Sequence, residues 1–173
     1  MKQEEKKISR GYDNELRMEF DAVSCNESFA RMAVSAFIAP LNPTMEEMAD
    51  VKTAVSEAVT NAIIHGYGNV QGYIPGHMQC PREISFGKVR MYCRIEGDVL
   101  AVEIEDDGQG IDNVEQALEP LFTTKPELER SGMGFAFMEA FMDDLQILSA
   151  PGRGCKIVME KKLGSMPWLE EDE

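Results

Sequence analysis

Three short motifs contain the residues of this chain whose types and spacing could do chemistry. The first is Glu57-Ala-Val-Thr-Asn61-Ala-Ile-Ile-His65-Gly66, in which a carboxylate, an amide and an imidazole recur at four-residue steps. The second spans residues 106–110, Asp-Asp-Gly-Gln-Gly, and the third spans residues 131–134, Ser-Gly-Met-Gly. In this order the motifs offer separate candidates to hold a metal ion, a purine and a polyphosphate. Together they predict a nucleotide site.

The first motif predicts a polar stripe along one helix. Residues four apart share a helix face, so Glu57, Asn61 and His65 align if the segment is helical. A solvated face would produce the same stripe. Asn61, however, is a middling helix former between apolar neighbours, which favours a ligand role. An amide oxygen suits Mg²⁺, and a carboxylate one turn earlier could serve as a general base near the terminal phosphate.

The second motif follows an apolar strand. Asp-Gly pairs commonly form turns, which is one interpretation. The other is that Asp106 accepts a hydrogen bond from the exocyclic amine of adenine, while Gly108 and Gly110 let the backbone pass close to the base. The residues of this motif alone leave both interpretations open.

The third motif is either a simple loop-to-helix transition or a phosphate site. As a phosphate site it has free backbone amides, the N-terminus of a helix that begins at Gly134, and the cations Lys125 and Arg130 nearby. The sequence contains no Walker motif and no protein-kinase signature. Any ATP chemistry here therefore belongs to another lineage.

Periodicity and capping residues predict the elements that position these motifs. Strands are predicted over residues 15–23, 88–95, 99–105, 145–149 and 155–161. Helices are predicted from an Asn26 cap to Pro40, from a Thr44–Glu47 capping box to Ile64, over 112–118 and over 134–142. Strands and helices do not alternate strictly. We therefore expect an α/β (α+β) two-layer sandwich, with a mixed, mainly antiparallel sheet covered on one face by helices.

The length of 173 residues fits one domain. We place that domain at residues 15–163, between a flexible tail over 1–14 and a disordered acidic tail over 164–173. Residues 67–87, rich in glycine, predict a long surface loop, and the polar segment 121–133 predicts a mobile one.

The charge balance limits the partners. Seventeen basic residues against 31 acidic ones give a net charge of −14, which argues against direct binding of nucleic acid. An acidic protein that holds ATP needs local cations from a metal and a few placed Lys or Arg side chains. Alternatively, the acidic surface faces a basic protein partner.

The sequence has no apolar stretch of membrane-spanning length, and its start lacks the apolar segment of a signal peptide. These features predict a cytoplasmic protein with no membrane association. Its four cysteines have no C-x-x-C spacing, which predicts reduced thiols; they are Cys25, Cys80, Cys93 and Cys155.

The order of the three motifs resembles the Bergerat-fold ATPases, the superfamily of histidine kinases, DNA gyrase and mismatch-repair ATPases. The local sequence is similar to one family in particular, the anti-sigma F factors of endospore-forming bacteria. Segments 26–31, 57–67, 120–134 and 141–143 carry this similarity, which extends over roughly residues 16–163.

The resemblance implies a homodimeric serine kinase that uses ATP and Mg²⁺. Such a kinase binds a sporulation sigma factor and phosphorylates a serine of an anti-anti-sigma protein. It implies that Glu57 is the catalytic base, Asn61 the Mg²⁺ ligand and Asp106 the adenine reader, that residues 123–134 form a lid, and that Arg31 lies on the partner-binding side. The other implied ATP-binding residues are His65, Gly108, Gly110, Ile111, Thr123, Thr124, Lys125, Arg130, Ser131, Gly132, Met133, Gly134 and Cys155.

The sequence departs from that family in three places, and three other functions compete with a kinase. The loop over 67–87 and the tail before Leu16 are longer than expected, and Cys155 replaces a usual Thr. The first alternative is a non-catalytic, ATP-dependent sigma-binding module, which the intact Glu57 disfavours. The second is a stress-response switch kinase for another sigma factor, which the lid sequence disfavours. The third is a detached histidine-kinase catalytic domain, but the chain has no helical hairpin to dock a phosphoacceptor histidine.

Overall fold

The computed structural model describes residues 13–67, 87–118 and 133–164. The strands within these residues are β1 (Asn14–Asp21), β2 (Lys88–Glu96), β3 (Val99–Asp106), β4 (Asp144–Ser149) and β5 (Cys155–Lys162). They form one sheet in the order β1-β2-β3-β5-β4, and each neighbouring pair is antiparallel. The helices are α1 (Cys25–Ile38), α2 (Met45–Asn61), α3 (Val114–Ala117) and α4 (Gly134–Phe141).

The helices α1, α2 and α4 form a single layer over one face of the sheet. Helix α2 lies in the middle of that layer, because it contacts both α1 and α4. Alternate residues of the central strands point into the core, for example Met91 and Cys93 of β2 and Val102 of β3. They pack against the apolar stripe of α2, which includes Val55 and Val59. The predicted two-layer α+β sandwich is therefore confirmed.

Two predicted helix starts had opposite outcomes. The capping box at α2 is confirmed: the Glu47 amide donates to Thr44 Oγ1 at 3.1 Å, and the Thr44 amide donates to Glu47 Oε2 at 2.7 Å. The predicted Asn26 cap is wrong, because α1 already begins at Cys25. The Asn26 side-chain amide instead donates to the Asp21 carbonyl oxygen at 2.8 Å. This bond holds the start of α1 against the end of β1.

The end of the long helix also differs from the prediction. The α-helical bonding stops at Asn61, and the chain continues as one π-helical turn over Ala62–Gly66. The four-residue step therefore applies to Glu57 and Asn61, whereas His65 lies on the wider turn. π turns are frequent at functional sites, since they redirect the residues that follow.

Several predictions fall outside the described residues, including most of both tails, most of the loop over 67–87 and the segment 119–132. Cys93 and Cys155 are free, as expected, but Cys25 is disulfide-bonded, so the prediction of four reduced thiols is wrong for that residue. Spacing along the chain does not reveal which cysteines the fold brings together. Within the described ranges, none of the helices is long and apolar enough to cross a membrane.

Candidate functional site

Glu57 and Asn61 lie on the side of α2 that meets α4. Asn61 is one of two buried polar side chains among the described residues, with 9% of its surface exposed. A Cβ atom built on Gly134, the first residue of α4, would lie 3.0 Å from Glu57 Oε2 and 3.5 Å from both amide atoms of Asn61. The first and third motifs, 73 positions apart if counted from Asn61 to Gly134, therefore meet in space. A side chain at Gly134 would crowd the Glu57 carboxylate, whereas its contact with Asn61 would be an ordinary van der Waals contact.

The N-terminus of α4 contributes backbone donors at the same place. Met133 is its N-cap residue and makes no side-chain capping bond. The first amides of a helix have no intrahelical acceptor, and the helix dipole favours negative charge there. This end of the site thus combines a carboxylate, an amide and a helix N-terminus, which is a suitable arrangement for a polyphosphate and its metal.

Asp106 forms the second polar cluster, at the end of β3. Its side chain is buried, with 4% exposed, and its Oδ1 accepts a 2.8 Å hydrogen bond from the Gly108 amide. Burial raises the pKa of Asp106 to about 6, although the backbone amides of Gly108 and Cys155 act against that rise. A carboxylate held in an apolar surrounding is a strong hydrogen-bond acceptor for a buried donor.

The π turn is in direct contact with this carboxylate. A Cβ atom at Gly66 would lie 2.7 Å from Asp106 Oδ1, so only glycine leaves space there. A Cβ atom at Gly108 would lie 2.0 Å from the Gly66 carbonyl oxygen. The first and second motifs therefore pack backbone against backbone, and helix α2 with its π turn connects the two polar clusters.

Hydrogen bonds fix the loop that follows Asp106. The Gln109 amide donates to the Gly66 carbonyl at 2.7 Å, and the Gln109 side chain donates to the His65 carbonyl at 2.7 Å. On the other side, the Gly154 amide donates to the Gly108 carbonyl at 3.0 Å. Gly110 has a φ of 72°, the left-handed region that glycine adopts without strain. The loop is thus held from both the π turn and the β4–β5 turn.

Cys155 lies beside Asp106, its cross-strand partner in the β3–β5 pair. Burial and the neighbouring Asp106 charge raise the pKa of the Cys155 thiol to about 11, against a hydrogen bond with Ser149. The Ser149 hydroxyl also accepts from the Ile111 amide at 2.9 Å and donates to the Gly154 carbonyl at 2.7 Å. Cys155 is therefore a neutral thiol at neutral pH, next to the predicted adenine reader.

The described structure brings most of the predicted site residues together in these two clusters. The first contains Glu57, Asn61, Met133 and Gly134, and the second contains Asp106, Gly108, Gly110, Ile111 and Cys155. His65 joins them through its backbone carbonyl. Arg31 lies apart on α1, paired with Glu27 at 3.3 Å. The predictions for Thr123, Thr124, Lys125, Arg130, Ser131 and Gly132 lie outside the described residues.

Sequence reasoning gave no role to three residues that shape the second cluster. Tyr67, Gln109 and Ser149 each make hydrogen bonds that fix the loop after Asp106. Gln109 lies inside the second motif and Tyr67 directly follows the first, so their positions in the sequence could have indicated a role at the site. No comparable signal marks Ser149, which the fold alone brings to the site.

The residues present fit an adenine nucleotide and a hard metal ion. The buried Asp106 carboxylate is packed against Gly66, where only glycine fits, and a buried amide lies beside a helix N-terminus. The family model for the histidine kinase-like ATPase domain matches residues 25–161, and ATP is the nucleotide that such a domain binds. Fold, site and family model together place this chain in that class of protein.

Relatives define the family within the class. The chain is 52% identical to an anti-sigma F factor of Clostridium novyi, over 88% of this chain and 97% of that protein. It is 52% identical to that of Bacillus subtilis, over 87% of this chain and 93% of that protein. A Clostridium kluyveri relative is 48% identical, over 90% and 99% respectively. The chain belongs to the anti-sigma F factor family.

The fold is also similar to a solved structure, that of the RsbU and RsbW domains of Rv1364c from Mycobacterium tuberculosis. The TM-score is 0.57 at 20% sequence identity, over 87% of this chain and 32% of that chain. At this identity the similarity supports the fold alone.

Proposed function

We propose that this protein is an anti-sigma factor and an ATP-dependent protein serine kinase. It sequesters a sporulation sigma factor and phosphorylates a serine of an anti-anti-sigma protein. One observation carries the proposal: Glu57 Oε2 lies against the first residue of α4 and beside Asn61. A base, a metal ligand and a phosphate-binding helix end thus occupy one place, at the opposite end of α2 from its capping box.

Each residue has a distinct part in the proposed transfer. Asp106 accepts a hydrogen bond from the exocyclic amine of adenine, and the N-terminus of α4 binds the polyphosphate. Asn61 is the protein ligand for Mg²⁺, which offsets phosphate charge when bound. Glu57 accepts the proton of the incoming serine hydroxyl as that oxygen attacks the terminal phosphoryl group, the bond from the γ-phosphorus to the β–γ bridging oxygen breaks, and ADP leaves.

The surface of α1 supports the anti-sigma part of the proposal. Phe29 and Met32 expose 57% and 62% of their surfaces, and Arg31 lies between them in the sequence. Arg31 pairs with Glu27, and Glu27 also accepts a hydrogen bond from the Ser56 hydroxyl on α2. Exposed apolar side chains around a positioned arginine are typical of the centre of a protein interface.

Two further parts of the proposal rest on the family. They are a homodimer and a cytoplasmic location, where a sigma factor acts. The identity of the relatives favours this function over the stress-response alternative, since the relatives compared above are all anti-sigma F factors.

The test is phosphate transfer between purified proteins. Wild-type protein is mixed with Mg²⁺, ATP labelled at the terminal phosphate and the anti-anti-sigma protein of the same operon, and the label is located by peptide mapping. We expect label on a serine of the partner. The Glu57→Gln variant should transfer about 10²- to 10⁴-fold more slowly, because general-base help has that typical value. It should still bind ATP and the sigma factor.

Two results would contradict the proposal. A wild-type protein that binds the sigma factor with ATP but transfers no phosphate would be a non-catalytic binding module. A Glu57→Gln variant with near-normal transfer would exclude Glu57 as the base.

A further inference from the structure

The side chain of Tyr67 connects the end of the π turn to two strands. Its hydroxyl accepts a 2.9 Å hydrogen bond from the Asp107 amide and donates a 2.6 Å hydrogen bond to the Lys88 carbonyl oxygen. Both bonds are made to backbone atoms, and both partners lie one residue beyond the last β2–β3 pair. One hydroxyl group, on the residue directly after the first motif, thus bonds both strand β2 and the residue that follows Asp106.

The position of this hydroxyl in the sheet is specific. The β2–β3 ladder ends at the Val89–Asp106 pair, and the next pair in the same register would be Lys88–Asp107. At that place the Tyr67 hydroxyl bonds the amide of Asp107 and the carbonyl of Lys88, which in a continued ladder are the groups facing each other. The tyrosine hydroxyl therefore replaces the direct backbone hydrogen bond of the next residue pair. Strand β3 separates from β2 immediately after Asp106.

This separation directs the loop that carries the second motif. Released from β2, the chain turns to the π turn, where the Gln109 amide donates to the Gly66 carbonyl at 2.7 Å. The Asp107 side chain points the other way, since Arg90 Nη1 and Nη2 each donate to it at 2.7 Å. Asp106 is thus fixed on both sides: its own side chain faces Gly66, and its neighbour is held outward.

The tyrosine ring fits against the backbone at Gly87. A Cβ atom at Gly87 would lie 2.1 Å from Tyr67 Cε1, so a side chain there would displace the ring. This close approach offers a second way to move the hydroxyl without removing it.

We propose that Tyr67 is a positioning residue for base recognition, which determines where the Asp106 carboxylate and the backbone of residues 107–110 stand relative to the adenine ring. It acts through Asp106 and does not itself contact the base. The inference rests on the proposed function only in that the site binds ATP; it does not require phosphate transfer.

The test is the Tyr67→Phe variant, which keeps the ring and removes both hydrogen bonds. Its matched control is Tyr92→Phe, because the Tyr92 hydroxyl bonds Glu15 Oε2 at 2.8 Å on the other face of the sheet. Affinities for ATP, ADP and GTP are measured by calorimetry. Phosphate-transfer rates are measured at saturating and at limiting ATP, and the free energy of unfolding is measured with urea. We expect Tyr67→Phe to weaken ATP and ADP binding about tenfold. The ratio of the affinity for ATP to the affinity for GTP should fall as well. The transfer rate at saturating ATP should stay within about twofold of wild type, and Tyr92→Phe should match wild type throughout.

Three results would overturn the inference. The first is a Tyr67→Phe variant with wild-type nucleotide affinities and selectivity. The second is a variant that loses unfolding free energy alone, as expected of a purely structural tyrosine. The third is equal loss of ATP and GTP affinity. If Tyr67→Phe does not fold, Gly87→Ala replaces it, and unchanged base selectivity in that variant overturns the inference equally. Wild-type protein that binds ATP with Tyr67-dependent selectivity but transfers no phosphate would contradict the proposed kinase and support this inference.

Discussion

Asp106 is a buried carboxyl group, and its burial destabilises the charged form in the free protein. Its native pKa of about 6 lies above the ordinary value of 3.8, mainly through burial. Two backbone amides, from Gly108 and Cys155, compensate for only part of the lost hydration. An exocyclic amine of a bound purine would add the missing donor, so nucleotide binding and the carboxylate should stabilise each other.

The Asp106→Asn variant should make this visible in the free protein. A raised carboxyl pKa means that the native state binds the proton more tightly than the unfolded state. Stability from this group is therefore present below pH 3.8 and is lost as the pH rises through about 6. We expect Asp106→Asn to raise the free energy of unfolding by about 3 kcal/mol at pH 7.5 and by well under about 1 kcal/mol at pH 4. Urea unfolding at both pH values is the measurement.

The neighbouring Asp107→Asn variant is the control for that result. Asp107 is exposed, and its pKa is lowered, first by the hydrogen bond from Arg90. The Asp107→Asn variant should therefore show no increase in the free energy of unfolding at pH 7.5. If Asp106→Asn gains nothing at pH 7.5, or keeps ATP-over-GTP selectivity in a competition assay, the buried acceptor is wrongly assigned.

At the scale of single residues, the sequence predicted which polar side chains form the two clusters better than it predicted the residues that hold them in place. Glu57, Asn61 and Asp106 were predicted because their side-chain types and spacing carry information. Asn26 was misassigned, because a capping residue is recognised by its backbone angles, and these depend on where β1 ends. Tyr67 received no role, because the bonds of its hydroxyl go to backbone groups of Lys88 and Asp107 that are distant in sequence.

Among the elements, α2 with its π turn positions both clusters. The start of α2 followed from a local pattern, since a capping box involves only residues three apart. The π turn over Ala62–Gly66 did not, because a wider turn has no periodic signature of its own and depends on packing. That turn brings Gly66 against Asp106, which a straight α-helix through Ile64 would not predict.

The contact between α2 and α4 leads to a prediction for Gly134. A methyl group at this position would lie 3.0 Å from Glu57 Oε2 and would push the proposed base away from the N-terminus of α4. We expect Gly134→Ala to slow transfer about 10- to 100-fold, since small displacements of reacting groups have effects of this size. Its free energy of unfolding should change by less than about 1 kcal/mol, because Gly134 is the first residue of the helix, where the interior preference for alanine does not apply in full.

The exposed residue Ala140 on the same helix gives the reciprocal control. Ala140→Gly should lower the free energy of unfolding by roughly 0.5–1 kcal/mol and leave transfer unchanged. Transfer rates and urea unfolding are measured for both variants. If Gly134→Ala transfers phosphate at the wild-type rate, the close approach of α4 to Glu57 has no catalytic consequence.

Across the whole molecule, the nucleotide clusters and the α1 surface are joined through α2. Glu27 of α1 accepts a hydrogen bond from the Ser56 hydroxyl of α2 and forms an ion pair with Arg31. Ser56 is the residue before Glu57. Among the described residues only a few large apolar side chains are exposed. On α1 these are Phe29 and Met32.

This arrangement predicts that partner affinity and nucleotide affinity can be separated by mutation. Replacing both Phe29 and Met32 by alanine removes apolar area that is exposed in the free chain, so the fold should keep its stability. If the sigma factor covers this surface, its affinity should fall at least about tenfold, since truncating a central apolar anchor typically costs more than 1 kcal/mol. ATP affinity should remain within about twofold of wild type, because neither side chain belongs to the two polar clusters.

Leu148→Ala is the matched control: this side chain is 60% exposed on β4, on the sheet face away from the helices, and its loss should change neither affinity. Calorimetric titration of each variant with the sigma factor and with ATP distinguishes the outcomes. Wild-type sigma affinity in the double variant would exclude this part of α1 from the interface.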